Sequence, residues 1–217
     1  LLRHLACLDS LGISCVYLVV GHNKEDVKQY VGDLNLGLEC NFIDNNVYRT
    51  TGNTLSMMMG LRCCRGDVII LDGDILYPKS MFYDYVKKAE STSFALIPAD
   101  INNTESTKTL IRSDGKIEAF ITKRDLTPEE KVDFEFGGEA IGFFKLRADD
   151  QKKFIKHYES LESKYVEVLW EIPFSDFAKY VDLSPWLITQ GPECFEIDTQ
   201  EDYEQALSSF LKHRNRY

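Results

Sequence analysis

At 217 residues, the chain is long enough for one domain with a sizeable core. Its 44% hydrophobic and 28% charged residues describe a globular chain, and a formal net charge of −10 argues against a nucleic-acid or anionic-membrane partner. No stretch reaches the ~18 consecutive apolar residues that a membrane-spanning helix needs.

Leu1, Leu2, Leu5 and Leu8 repeat at helical spacing, and Gly12 stops them. The sequence enters this helix without a cap or lead-in. The expectation is therefore one domain over residues 1–217, truncated at its natural N-terminus. Cys15 to Val20 reads as a buried strand, Gly21-His22-Asn23 as a turn with an N-cap, and Lys24 to Val31 as a helix. A strand over Leu38 to Ile43 leads through Asp44-Asn45-Asn46 to a helix carrying Leu55, Met58, Met59 and Leu61, which ends by Gly66. Val68-Ile69-Ile70-Leu71 reads as a strand buried on both faces, and a helix starts near Pro78.

This alternation at short spacing predicts an α/β, doubly wound, Rossmann-like fold: a mostly parallel mixed sheet with helices on both faces. The second half changes style. Phe94–Pro98, Leu110–Arg112 and Lys116–Ile121 read as strands, with Ser113-Asp114-Gly115 as a hairpin turn. A strand over Phe136–Phe144 and a helix over Ala148–Leu161 follow. Then come a helix over Pro173–Tyr180 and strands over Leu187–Thr189 and Cys194–Ile197. Thr199 caps a last helix running to Lys212, with Glu201 and Asp202 in its first turn.

The six cysteines form no CxxC pair and read as reduced core residues of a cytoplasmic protein. The four histidines are scattered and show no metal spacing.

The chemistry concentrates in two acidic pairs. The apolar run at 68–71 ends in Asp72-Gly73-Asp74, whose carboxylates stand at i and i+2 and aim to one side beyond a strand end. Gly73 permits close approach, and ligands of open α/β sheets sit at such ends. Glu196 and Asp198 repeat the pattern just before a helix. Together the four carboxylates suit Mg²⁺ and bound phosphates. Turn chemistry at Asp72–Asp74 and plain helix capping by Asp198 are the open alternatives.

Three further segments qualify. The polar run Tyr48 to Ser56 opens a helix and offers groups for a base, ribose or phosphate, or else simply caps the helix through Thr51 or Asn53. Glu139 is an isolated acid after the paired glycines Gly137 and Gly138, so a partner or ligand is expected beside it. Lys123 and Arg124 follow a strand and are the cations available to a phosphate in this half, Arg124 reading more readily as a solvated surface residue.

The ordered motifs Gly-Ile…Val-Val-Gly-His, Asn-Thr-Leu-Ser-Met, Leu-Asp-Gly-Asp, Gly-Glu-Ala-Ile-Gly and Glu-Ile-Asp-Thr-x-Glu-Asp-Tyr make nearly the whole chain resemble the sugar-phosphate nucleotidyltransferase superfamily. Within it, the chain is most similar to bacterial cytidylyltransferases acting on phosphocholine or 2-aminoethylphosphonate. The resemblance implies that Asp72 and Asp198 are Mg²⁺ ligands with Asp74 and Glu196 as close associates, and that Asn53 and Ser56 line a nucleotide pocket. Asp72, Lys123 and Asp198 form the expected catalytic set, with Asp74 also near the nucleotide. Members of the superfamily open with a strand and a glycine-rich loop bearing an Arg and a Lys, and this sequence starts after that loop. Its short C-terminus lacks a hexapeptide-repeat extension, which tilts the resemblance towards the cytidylyltransferases.

The implied reaction transfers CMP from CTP to a small phosphate or phosphonate acceptor and releases pyrophosphate. A quaternary ammonium acceptor would want an aromatic cage, for which Trp170, Trp186, Phe143, Phe144 and Tyr165 are available. A primary amine would want carboxylates, for which Glu171 and Asp176 are near in sequence. Glu139, Trp170 and Glu171 are the expected acceptor contacts. A sugar 1-phosphate acceptor, or a non-catalytic binding or regulatory domain, stays open, as does the oligomeric state, a homodimer included.

Overall fold

The computed structural model describes residues 1–188 and 194–217. In chain order the elements are α1 (Leu2–Ser10), β1 (Cys15–Val20), α2 (Lys24–Gly32), β2 (Glu39–Asp44), α3 (Asn53–Cys63), β3 (Val68–Leu71), β4 (Ile75–Leu76) and α4 (Lys79–Lys88). They continue with β5 (Ser93–Ile97), β6 (Lys108–Ile111), β7 (Ile117–Ile121), α5 (Pro128–Asp133), β8 (Glu135–Leu146), α6 (Ala148–Ser160) and α7 (Glu162–Tyr165). The last are α8 (Glu171–Phe177), β9 (Ser184–Leu187), β10 (Phe195–Glu196) and α9 (Gln200–Lys212). No described helix is long and apolar enough to cross a membrane.

The chain divides into two compact units, Leu1–Val68 with Ala148–Pro173, and Ile69–Arg147 with Phe174–Tyr217. In the first, β1 and β2 pair in parallel from Cys15↔Glu39 to Val20↔Asp44, as a strand–helix–strand unit requires. Gly52 lies at the entry to α3, where a Cβ would run into the carbonyl of Val168. The chain at 166–170 is held there by Gly52 N donating to Val166 O (3.0 Å) and Thr54 Oγ1 donating to Val168 O (2.7 Å).

In the second unit the sheet runs β7-β6-β8-β5-β9, with β3 also against β8. The sheet is mixed, as expected, but its pairings are not mostly parallel: β9 is parallel to β5, while β8 is antiparallel to both β5 and β6, and β6 to β7. Its interior is aromatic. Phe94 stacks on Phe144 (4.7 Å) and meets Phe174 edge-on (5.0 Å), while Tyr77, Phe82 and Tyr85 surround Phe143. Each such fully buried ring contributes up to about 3 kcal/mol of transfer free energy, which makes β8 and its neighbours a rigid base for the loops at the strand ends.

Several boundaries move. Asn23 does stand at the N-cap of α2, but at φ 48° and with no side-chain capping bond. The strand expected at Leu187–Thr189 starts earlier, at Ser184, and Thr189 lies outside the described residues. Pro185 sits within it, tolerated because β9 ends the sheet. α5 was not expected, yet Thr127-Pro128-Glu129-Glu130 encodes it: Thr127 Oγ1 accepts from Glu130 N, and the Glu130 carboxylate accepts from Thr127 N.

Candidate active site

The two acidic pairs are brought together by the two-residue strands β4 and β10. These pair antiparallel, Glu196 opposite Ile75 and Phe195 opposite Leu76, and Ile197 N donates to Asp74 O at 3.1 Å. Carboxylate oxygens of Asp74, Glu196 and Asp198 thereby come within 4.8 Å of one another. Asp72 stands beside them, its backbone N donating to Gly142 O at 2.8 Å. Gly142 is at φ +64°, and a Cβ there would run into Asp72 Oδ2. Only glycine leaves that carboxylate its position.

The electrostatics follow from this crowding. Glu196 has its pKa pushed up to about 8, first by desolvation and then by the negative charges of Asp74, Asp198, Asp72 and Glu139. Asp74 is raised too, by desolvation and then by Asp198. The neighbouring charges that dominate at Glu196 are all negative. The three residues remain open to solvent, so a hydrated cation has access. Hard carboxylate oxygens are the donor type that Mg²⁺ takes, one or two of them with water and phosphate oxygens completing its shell.

Gly73 and Asp74 do form a turn between β3 and β4, as the turn reading expects, but the helix starts give the capping alternative no support. Thr199, not Asp198, caps α9, and the Asp202 carboxylate accepts from Thr199 N (2.8 Å), Thr199 Oγ1 (2.8 Å) and Asp198 N (3.2 Å). Asp198 is thus fixed through its backbone while its carboxylate joins the cluster. The N-cap of α4 is Pro78, so neither Asp72 nor Asp74 caps that helix.

The other expected residues divide. Glu139 is half-buried on β8 and in register with Lys108 of β6. Burial raises its pKa, and the Lys108 charge and a Thr107 backbone hydrogen bond pull it back. The partner expected for an isolated acid is therefore a lysine the sequence reading passed over, though a lone lysine before the apolar run Leu110-Ile111 was a signal. Lys123 is exposed on the turn after β7 at φ 50°. Arg124 turns to Glu130 in a two-pronged ion pair (2.6 and 2.8 Å), as a surface residue would.

In the first unit, Asn53 Oδ1 accepts from Trp170 N (3.0 Å), and Ser56 Oγ accepts from Asn45 Nδ2 (2.9 Å). The N-cap of α3 is Gly52, so helix capping by Thr51 or Asn53 is not what these side chains do. Trp170 and Glu171 are only 3% and 7% exposed, which is the placement of core residues and not of acceptor contacts. The aromatic cage is corrected in the same way: Phe143, Phe144 and Tyr165 are fully buried, and Trp186 packs edge-on against Tyr85 at 5.7 Å. Large rings in strands gain more from packing on one another than from waiting for a cation.

No family model matches the chain. It is 29% identical over 94 residues to the CMP-5'-(3-aminopropyl)phosphonate synthase of Streptomyces rubellomurinus, an alignment covering 43% of this chain and 14% of that protein. The curated relatives it matches are much longer, the chain spanning 14 to 26% of their length. Among solved structures, it superposes on the CTP:phosphocholine cytidylyltransferase of Streptococcus pneumoniae with a TM-score of 0.70 and 19% identity, covering 96% of this chain and 83% of the other. A UDP-glucose pyrophosphorylase gives 0.70 and 14%, with 97% and 86% covered. The fold is that of the nucleotidyltransferases.

Proposed function

We propose that the chain is a nucleotidyltransferase that moves CMP from CTP to a small phosphorylated or phosphonate amino-alcohol and releases pyrophosphate. The observation that carries this reading is the convergence of Asp74, Glu196 and Asp198, with Asp72 beside them, on a nucleotidyltransferase-type fold. Bound Mg²⁺, held by these carboxylates, would supply the positive charge that a triphosphate needs in so acidic a site. Asp72 is anchored through its backbone N, which donates to Gly142 O. Lys123, exposed and without a hydrogen bond or ion pair among the described residues, offers its ammonium to a phosphate oxygen. The acceptor's phosphate or phosphonate oxygen attacks the α-phosphorus in line with the leaving pyrophosphate. That oxygen is ionised at neutral pH, so no general base is needed and positioning dominates.

Likeness to an aminopropylphosphonate cytidylyl enzyme and to a phosphocholine cytidylyltransferase supports CTP and an amino-alcohol-type acceptor. Likeness to a UDP-glucose pyrophosphorylase supports a sugar 1-phosphate as the second reading. Pyrophosphate release with CTP and UTP, against a panel of phosphocholine, aminoalkylphosphonates and sugar 1-phosphates, separates them. Turnover with UTP and a sugar phosphate alone selects the second, and no turnover with any pair sinks both.

A further inference from the structure

Lys108 is a fully buried lysine on β6. A buried ammonium persists only where carbonyls and opposite charge replace its water. Its Nζ donates to the carbonyls of Asn103, before the strand, and Arg124, on the turn that leaves β7. Register explains the reach. Lys108 pairs with Ile121, the last residue of β7, on one side and with Glu139 on the other. Its side chain therefore lies on one face between an acid and the start of the 122–125 turn.

That turn carries an outlier. Lys123 is one of two non-glycine residues at positive φ among the described residues, at 50°. A lysine holds such a backbone only where its surroundings impose it. Two clamps do so. Beneath, Lys108 grips the Arg124 carbonyl at 3.1 Å. Outside, the Arg124 guanidinium closes on both oxygens of Glu130 and donates to the Asp125 carbonyl (2.8 Å). Glu130 is itself fixed by its capping bond to Thr127 N (2.8 Å). What the clamped turn leaves free is the Lys123 side chain, exposed and without a hydrogen bond or ion pair among the described residues.

We infer that Lys108 is a positioning residue: by pinning the Arg124 carbonyl from inside the sheet it presets the strained turn that presents Lys123 to a phosphate-type anion. The inference rests on the nucleotidyl-transfer reading only for the identity of that anion. A turn fixed before the anion arrives loses little entropy on binding it, which is the benefit of preorganisation.

A double-mutant cycle tests this, with inorganic pyrophosphate and Mg²⁺ as the probe and calorimetric affinity as the readout. Lys108→Met and Lys123→Ala each weaken binding about tenfold, and the double variant binds no more weakly than Lys123→Ala alone. A purely structural lysine, or one acting through Glu139, would weaken binding by the same factor with or without Lys123, and that result overturns the inference. So does wild-type protein that ignores pyrophosphate. Should Lys108→Met fail to fold, Lys108→Met in a Glu139→Gln background, which removes the donor without leaving an unpaired acid opposite it, carries the same cycle. Absence of turnover with every acceptor, with the coupling intact, would refute the proposed reaction and leave the role of Lys108 standing.

Discussion

Around Asn53 the polar side chains find protein partners, whereas the charges that dominate at Glu196 are those of other carboxylates. Both regions begin from similar sequence signals, a run of polar residues at the edge of a regular element. In the first unit, Asn53, Thr54 and Ser56 accept from Trp170 N, donate to Val168 O and accept from Asn45 Nδ2. Those bonds tie one segment to another, although of the three only Thr54 is buried, Ser56 being half-buried and Asn53 exposed. In the second unit, Asp74, Glu196 and Asp198 crowd together, and the charges that dominate at Glu196 add to the cost. A region that satisfies itself is explained by the fold. A region that accumulates unrelieved like charge asks for something from outside, and a divalent cation is the simplest answer.

The largest effect should come from breaking the acidic side. Asp198→Asn removes a charge from the cluster but leaves the cap of α9, which Thr199 and Asp202 make, in place. Turnover in the pyrophosphate-release assay should fall about 10²- to 10³-fold at saturating Mg²⁺, with the unfolding transition little changed. Wild-type rates would remove Asp198 from the metal set. On the self-satisfied side the effect should be on stability. Gly52→Ala drives a methyl into the Val168 carbonyl, and a loss of about 1 to 3 kcal/mol in urea unfolding is expected. A neutral result would mean that the 166–170 segment is free to move away.

Smaller still is Asn53→Ala. If its amide oxygen serves the Trp170 backbone, the variant should lose about 1 kcal/mol of stability, with kcat unchanged. A rise in KM for the nucleotide without loss of stability would break the contrast between the two regions and return Asn53 to the nucleotide.

What the sequence made legible was local. Strand β1 falls on the bounds Cys15–Val20 as read, because an apolar run between turn signals needs no distant partner, but of its residues only Val20 is buried. The acidic pairs were visible because residues two apart on a strand share a side. What the sequence could not display was the pairing that unites them: β4 and β10 are two residues each, too short for any periodicity. The lysine opposite Glu139 was hidden for the same reason, since cross-strand register is a non-local fact. Trp170 and Glu171 were misplaced because a residue's type says little about which face of its element meets the core. The α5 capping box was different, being present in four consecutive residues and simply passed over.

The smallest predicted effect is also the most direct probe of unrelieved charge. In the metal-free protein Glu196 has its pKa raised from 4.5 to about 8, by desolvation first and then by its acidic neighbours. Between those values the folded chain holds a proton that the unfolded chain has released. Stability therefore falls as pH rises through that window and stays reduced above it. Glu196→Gln removes the titration. Below pH 4.5 both carboxyl and amide are neutral in either state, and variant and wild type should unfold alike. At pH 9, in a chelator, the variant should melt about 1–2 °C higher, a modest gain because the group is solvent-screened. Adding Mg²⁺ at pH 9 should reverse the order, since the wild type then gains a ligand that the amide supplies poorly. If the two proteins melt together at both pH values and with metal, Glu196 carries no excess charge, and the contrast with the Asn53 region loses its electrostatic basis.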